Sequence, residues 1–426
     1  MRFWPRIGVD TEDNGLDCLT NKVLLIQLGT LEKQYVIDVG KFSNPVHDLQ
    51  LIWDIFEDEQ TLKIFHNAKF DYKMLKTNFG IRDIANIMDT WVIESLLTKG
   101  KRNKGFGLAD LGERYLGIDL EKSTRIEFVG KNPGCSFTPK QIEYAADDVK
   151  YLPSILEKQI TKLEKEEMLT LARLESEATK VTGDIEINGI YLDSKQWLSL
   201  EKDAQKRLTE AKKELETHFI DYKKQLQKLR QTSELGLNDS IQINYNSPKQ
   251  LLPALNFVLG YDIGSTSEKI ISKINHPALK SLINYRKAEK LRSTYGQMFL
   301  HENVRQETGR IHPSFNQMRA DSGRYSSSEP NLQNIPQNAY YRAAFAVQTP
   351  DYKMICADYS GCELRLLAEL SQEPKWIDAL KTGKDIHMMV YADIHNLNYE
   401  DVVDTNHKPL PQYKAGRTAI KALNFG

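Results

Sequence analysis

Along the first third of the chain, short apolar runs with strand-like character, residues 7–9, 23–28 and 34–39, are followed by stretches with helical spacing at 49–56 and 70–78. Strands interleaved with helices predict a mixed α/β sheet. Thr138, Pro139 and Gln141 have the spacing of a capping box with proline at the first helical position, which opens a helix that continues through 141–152 and closes this core near Leu156. From 155 to 230, Glu, Lys, Leu and Gln predict long antiparallel helices, interrupted at 183–189 by a turn and a strand-like stretch over 185–187. A polar loop at 260–267 precedes an amphipathic helix over 277–300. From Gly309 onward short strands and loops are predicted, with helices after Cys362.

At 426 residues the chain exceeds one ordinary domain, so two or three cores are expected. Lys plus Arg (57) and Asp plus Glu (58) nearly cancel, so a nucleic-acid partner requires cations gathered on one surface rather than a basic whole. Cys18, Cys135, Cys356 and Cys362 lack CxxC spacing, which argues against a zinc site or a disulfide framework and for reduced thiols in a cytoplasmic protein. No apolar run approaches the ~20 residues of a membrane span. The short stretch before residue 7 leaves no room for a targeting segment, so no membrane partner is expected.

Three local patterns aim carboxylates at one point. Asp10 and Glu12 flank Thr11 on a strand, where residues two apart share a face. Asn67 and Asp71, and again Tyr144 and Asp148, are four apart, the spacing that stacks side chains on a helix. Clustered carboxylates suit hard cations such as Mg²⁺ or Mn²⁺, which also relieve their mutual repulsion. Asp89 reads equally as a supporting carboxylate behind the site or as a helix cap, and Asp147 as a solvated neighbour.

The segments Asp10-Thr11-Glu12, His66-Asn67-Ala68-Lys69-Phe70-Asp71 and Tyr144-Ala145-Ala146-Asp147-Asp148 resemble the three motifs of the DEDDy 3′ to 5′ exonucleases. The resemblance implies a ribonuclease H-like exonuclease domain with two divalent ions ~4 Å apart across the scissile phosphate. Carried over, Asp10, Glu12 and Asp148 hold the ion on the nucleophile side, Asp10 with Asp71 serves the second, Tyr144 positions the attacking water, and Asn67 contacts DNA.

A second constellation follows. Residues 356–358 read as an apolar strand ending in Asp358, then a turn and a helix start with Glu363. Ser322-Gly323-Arg324 and Gln333-Asn334 supply donors and acceptors in polar loops, and Asp385-Ile386-His387 leads toward a helix with Arg417, Lys421 and Phe425 four apart on one face. From about 183 to 426 the chain resembles family A DNA polymerases, the bacterial DNA polymerase I family. That implies a mostly helical thumb over 157–312, after the exonuclease domain at 1–156, and a partial α+β palm with the start of the fingers at 313–426. It also implies primer-template, single-stranded 3′ ends and deoxynucleoside triphosphates as partners.

By the same resemblance Asp358 and the Tyr359 carbonyl bind metal, and Glu363 excludes the ribose 2′-OH. His387, Arg417 and Lys421 hold the triphosphate, with Lys421 also serving as acid for the leaving pyrophosphate, and Phe425 packs on the sugar. Arg324, Gln333 and Asn334 touch the minor-groove edge, whereas Arg286, Lys287, Lys290 and Arg292 suit backbone phosphates.

Gly361 and Cys362 depart from the family's usual polar and aliphatic residues, and the segment between Pro336 and Arg342 is short. The family's second catalytic aspartate is missing from the sequence. The chain alone is therefore expected to be exonuclease-competent and polymerase-incomplete, with a split gene, an intein junction and a truncated record all open and a second polypeptide as a partner. A free-standing DEDDy exonuclease with a DNA-holding module is the alternative.

Overall fold

The computed structural model describes residues 5–99, 105–121, 123–232, 241–320 and 322–425, with the side chains of 230–232 and 424–425 outside the description. Two compact units divide the chain, Met1–Pro350 and Asp351–Gly426.

The first unit opens on a five-stranded sheet. Its strands are β1 (Arg6–Asp13), β2 (Val23–Gly29), β3 (Gln34–Asp38), β4 (Leu62–Phe65) and β5 (Ile87–Asp89), in the order β3-β2-β1-β4-β5. β1 runs antiparallel to β2 and parallel to β4, so the sheet is mixed, as the alternating runs predict. Every residue of β2 and of β4 is buried, which explains why β2 reads as a near-continuous apolar run.

Helices cover both faces: α1 (Gln50–Glu57), α2 (Ala68–Phe79), α3 (Thr90–Leu97), α4 (Leu108–Leu116), α5 (Pro139–Lys150) and α6 (Leu152–Lys165). Val9, Ile26 and Leu28 pack with Trp53, Phe56 and Tyr72 on one face, while Leu25 meets Phe128, Ala145 and Tyr144 on the other. α5 starts as its sequence requires: Thr138 caps it, the Thr138–Gln141 capping box closes, and Pro139 is the first residue.

The next helices are α7 (Leu169–Asn188), α8 (Ser194–Thr217), α9 (Ile220–Thr232), α10 (Pro248–Leu259), α11 (Pro277–Tyr295) and α12 (Gln297–Asn303). Two expectations fail here. α7 runs through the predicted interruption at 183–189, and the strand begins only at β6 (Ile190–Tyr191), which pairs with β7 (Arg310–Ile311). The cause is tertiary. Thr179, Thr182 and Glu186 form a buried stripe at helical spacing, and Gly183 lies so close to α2 that an added Cβ would stand 2.9 Å from Tyr72 Cδ1. The second failure is the single helix over 277–300, which breaks at Gly296, where the backbone is extended.

Beyond it, β8 (Ser314–Asn316) pairs antiparallel with β9 (Ser326–Ser328). The second unit is helical: α13 (Cys362–Ser371), α14 (Pro374–Lys381), α15 (Ile386–His395) and α16 (Lys414–Phe425). No helix among the described residues is long and apolar enough to cross a membrane.

Candidate active site

β1 lies between β2 and β4, and its residues alternate faces. Asp10 and Glu12 point toward the α5 side, in register with Gln27 and Leu25 of β2. Whether a third carboxylate reaches them depends on how closely α5 can approach. Gly8 and Gly29 face each other across β1 and β2. A Cβ on Gly8 would come within 2.3 Å of the Val149 carbonyl oxygen, and one on Gly29 within 2.8 Å of Val149 Cγ2. This flat patch seats α5 directly on the sheet. Asp148, the residue before Val149, then joins the pair, and one oxygen from each of Asp10, Glu12 and Asp148 lies within 4.8 Å of the others. Tyr144, one turn earlier, is hydrogen-bonded to Asp148, and its ring packs 6.3 Å from that of Phe128.

Asp71 enters from α2. Its Oδ1 accepts the Thr11 N–H at 3.1 Å and the Thr11 hydroxyl at 2.9 Å, and the residue is 2% exposed. Asn67 does not stack on Asp71 as the four-residue spacing suggests. It sits just outside α2 in the left-handed conformation, φ 72°, which asparagine tolerates. That turn aims two consecutive N–H groups, of Asn67 and Ala68, at the Asp89 carboxylate, at 3.0 and 2.8 Å. Asp89 also caps α3 by accepting from Trp91 N and Val92 N at 2.9 and 3.2 Å. Both open readings of Asp89 therefore hold at once: one carboxylate caps α3 and fixes the start of the helix that carries Asp71. Asp147 pairs with Lys150 at 3.5 Å, away from the cluster.

The electrostatics follow from burial. Desolvation, then the charges of Asp148 and Asp13, pushes Glu12 up to about 9. Desolvation raises Asp71 to about 7, against the opposing hydrogen bond from Thr11, and Asp148 to about 7, against that from Tyr144. Asp10, ringed by Asp71, Asp148 and Glu12, is raised well above the ordinary carboxylate range, desolvation again leading. Arg125, on the 3₁₀ turn Thr124–Phe128, is the cation that partly offsets them. An oxygen-only donor set with this much uncompensated negative charge fits a hard divalent cation.

The cluster lies in a cleft of about 490 Å³ whose other lining includes His66, Phe70, Trp91, Leu108, Leu120 and Arg125. Burial pushes His66 down to about 4, so it is neutral near pH 7. Sequence reasoning missed Arg125, Trp91 and His66 as cleft residues. Trp91 follows directly on Asp89-Thr90 and His66 directly precedes Asn67, so proximity to a motif was their signal; Arg125 carries none.

Residues 158–426 match the family model described as DNA polymerase family A, and residues 3–164 match that of a 3′-5′ exonuclease. The chain belongs to DNA polymerase family A. Among curated relatives, it is 31% identical over 402 residues to DNA polymerase I of Borreliella burgdorferi, covering 89% of this chain and 41% of the relative. It is 30% identical over 444 residues to DNA polymerase I of Chloroflexus aurantiacus, covering 100% of this chain and 45% of the relative. The chain thus spans less than half the length of these relatives. It shares its fold with the POL domain of Pol1 from M. smegmatis, solved in complex with DNA primer-template and dNTP, at TM-score 0.73 and 23% identity, over 100% of this chain and 68% of that one.

The residues that family A membership brings into view fall in both units. In the second, Asp385 caps α15, accepting from His387 N and Met388 N at 2.9 and 3.1 Å, while its other oxygen takes Arg417 Nε at 2.6 Å. His387 is 5% exposed, and desolvation, followed by the nearby Arg417 and Lys421 charges, lowers its pKa despite Asp385. His387, Arg417 and Lys421 are thus brought together. Asp358 and Tyr359 are not brought to them by regular structure. Residues 351–360 are exposed and form no strand, contrary to expectation, and Glu363 follows, itself exposed, on the first turn of α13. A strand needs a partner for its backbone groups, and the described residues of the second unit contain no other strand. The side chain of Phe425 lies outside the described residues.

In the first unit, Arg324 is exposed, Gln333 donates to the Tyr325 carbonyl at 2.8 Å, and Asn334 ends the 3₁₀ turn Leu332–Asn334. Lys287 and Lys290 are exposed on α11. Arg286 is not presented outward with them. It is half-buried and donates to the carbonyl and hydroxyl of Thr266. Arg292 pairs with Glu289 at 3.3 Å.

Proposed function

We propose that this chain carries the 3′ to 5′ proofreading exonuclease and part of the polymerase of a family A DNA polymerase acting in replication or repair, with the exonuclease domain at 1–156, linker and thumb at 157–312, and partial palm and fingers at 313–426. The observation that carries the reading is the meeting of Asp10, Glu12 and Asp148 within 4.8 Å, with Asp71 tied to the residue between the first two. In this reading Asp10, Glu12 and Asp148 hold one Mg²⁺ or Mn²⁺, and Asp10 with Asp71 holds a second. Such ions supply an activated water and charge stabilisation for the leaving oxygen.

The chain's own side chains do the rest. Tyr144 keeps its proton, because burial and the flanking carboxylates raise its pKa, so the phenol orients the attacking water rather than deprotonating it. Phe70 and Trp91 offer apolar faces to the terminal base, while Asn67 and Arg125 serve the sugar and phosphate. The polymerase reading is supported by His387, Arg417 and Lys421 gathered as a triphosphate site, with Arg324, Gln333, Asn334, Lys287 and Lys290 as DNA contacts.

The exposure of Ile355 (87%) and Tyr359 (86%) beside Asp358 favours an addition: a second polypeptide that covers this segment. The experiment is digestion of a labelled single strand from its 3′ end with Mg²⁺. The parent should shorten it and Asp10→Ala should not. Continued digestion by Asp10→Ala refutes the exonuclease assignment. Binding of a labelled primer-template together with a deoxynucleoside triphosphate by this chain separates this reading from a free-standing exonuclease.

A further inference from the structure

A buried carboxylate shared by two half-buried lysines links the helix of Asp71 to a distant hairpin. Glu186 of α7, 4% exposed, receives Lys69 Nζ at 2.7 Å and the Phe315 N–H at 2.7 Å on one oxygen, and Lys73 Nζ at 2.6 Å on the other. Lys69 Nζ also donates to the Phe315 carbonyl at 2.6 Å. Lys69 and Lys73 bracket Asp71 on the first turns of α2, and Phe315 is the middle residue of β8, in register with Ser327 of β9. The same hairpin continues to Tyr325, whose hydroxyl is hydrogen-bonded to Thr182 on α7 at 2.8 Å and whose carbonyl accepts Gln333 Nε2.

We propose that Glu186 is a positioning residue that holds Asp71 in register with the β8–β9 hairpin, so that the exonuclease site and the expected minor-groove contact Gln333 move as one body. The proposal rests on the exonuclease reading above. A carboxylate shared by two lysines and a backbone N–H is fully satisfied. Removing its charge leaves two half-buried ammonium groups without their counter-ion, and these must turn toward water. The α2 turn that presents Asp71 and the strand that holds Phe315 then lose their common anchor. α3, still capped by Asp89, is unaffected.

The test compares the parent chain with Glu186→Gln by hydrogen exchange and by single-strand digestion. Faster exchange is expected in 67–73 and in 314–328 together, with 23–38 unchanged. Digestion should show kcat lowered about 10- to 100-fold, as misplacement of a reacting group by roughly an ångström does, with KM unchanged. Faster exchange in 314–328 alone, in neither segment, or throughout the chain overturns the proposal, as does a wild-type kcat. If the parent itself digests nothing, the exchange result still decides the coupling, and the exonuclease reading alone falls. Should Glu186→Gln not fold, Lys69→Arg, which keeps the charge and changes its reach to Phe315, is read by the same two measurements with the same expected directions.

Discussion

Asp71 takes both the N–H and the hydroxyl of Thr11 on one oxygen, and Thr11 is the residue between Asp10 and Glu12. The strand that presents two carboxylates is thereby pinned to Asp71 through the side chain on its opposite face. Thr11→Val keeps the branched shape and removes only the hydroxyl. Digestion should slow about 3- to 10-fold and stability should fall about 1 kcal/mol, the worth of one hydrogen bond. Single-turnover digestion and urea unfolding read the two effects, and an unchanged rate would mean that the hydroxyl adds nothing to the hold that the Thr11 N–H already has on Asp71.

Seating α5 on Gly8 gives a steric prediction. Gly8→Ala drives a methyl into the Val149 carbonyl, a backbone atom that cannot step aside without the helix moving. Stability should drop by about 1–3 kcal/mol, and digestion by roughly 100-fold as Asp148 parts from Asp10. Gly29→Ala meets a side-chain methyl instead and should be milder on both counts.

Metal removal should make stability depend on pH in a definite direction. Glu12 is raised to about 9, and Asp71 and Asp148 to about 7. In the unfolded chain these groups titrate near ~4. Their contribution is fully present below the unfolded values and is lost as pH rises through the folded ones, because only the folded chain keeps the protons in between. In chelator, thermal unfolding should therefore shift to lower temperature between about pH 5 and 9. Mg²⁺ or Mn²⁺ should flatten that slope, and Asp148→Asn should flatten it without metal. A chelated protein equally stable across the range would contradict the shared-charge account.

On α11 two kinds of cation predict two kinds of mutant. Lys287→Ala and Lys290→Ala should each weaken DNA binding with little sequence dependence and reduce the salt slope by about 1. Arg286→Ala should instead loosen the 260–267 loop it bonds through Thr266, lowering stability while leaving the salt slope in place. Binding titrations at several salt concentrations, beside melting curves, separate the two.

The parts of the site that were legible in the sequence are those set by local periodicity. Asp10 and Glu12 needed only strand alternation, and α5 only its Thr138 cap and Pro139. What escaped depends on contacts between segments. The strand over 185–187 was misread because isoleucine favours strands, whereas burial of Thr179, Thr182 and Glu186 against α2 imposes a helix. The double service of Asp89 requires β5 beside β4, which residue spacing cannot reveal. Arg125 belongs to a short 3₁₀ turn with no period to betray it. The segment around Asp358 has a strand's composition, but the described residues of its unit offer no strand to pair with it.

Silencing the proposed nuclease by substitution has very different casualties depending on the acid chosen. Asp10, Glu12 and Asp148 repel one another, so an amide at one of them relieves crowding and should leave a sturdier scaffold. Asp89 is the opposite case. Its single carboxylate satisfies four backbone donors on two helices, and a laboratory seeking an editing-deficient reagent that still folds in good yield should leave that aspartate alone.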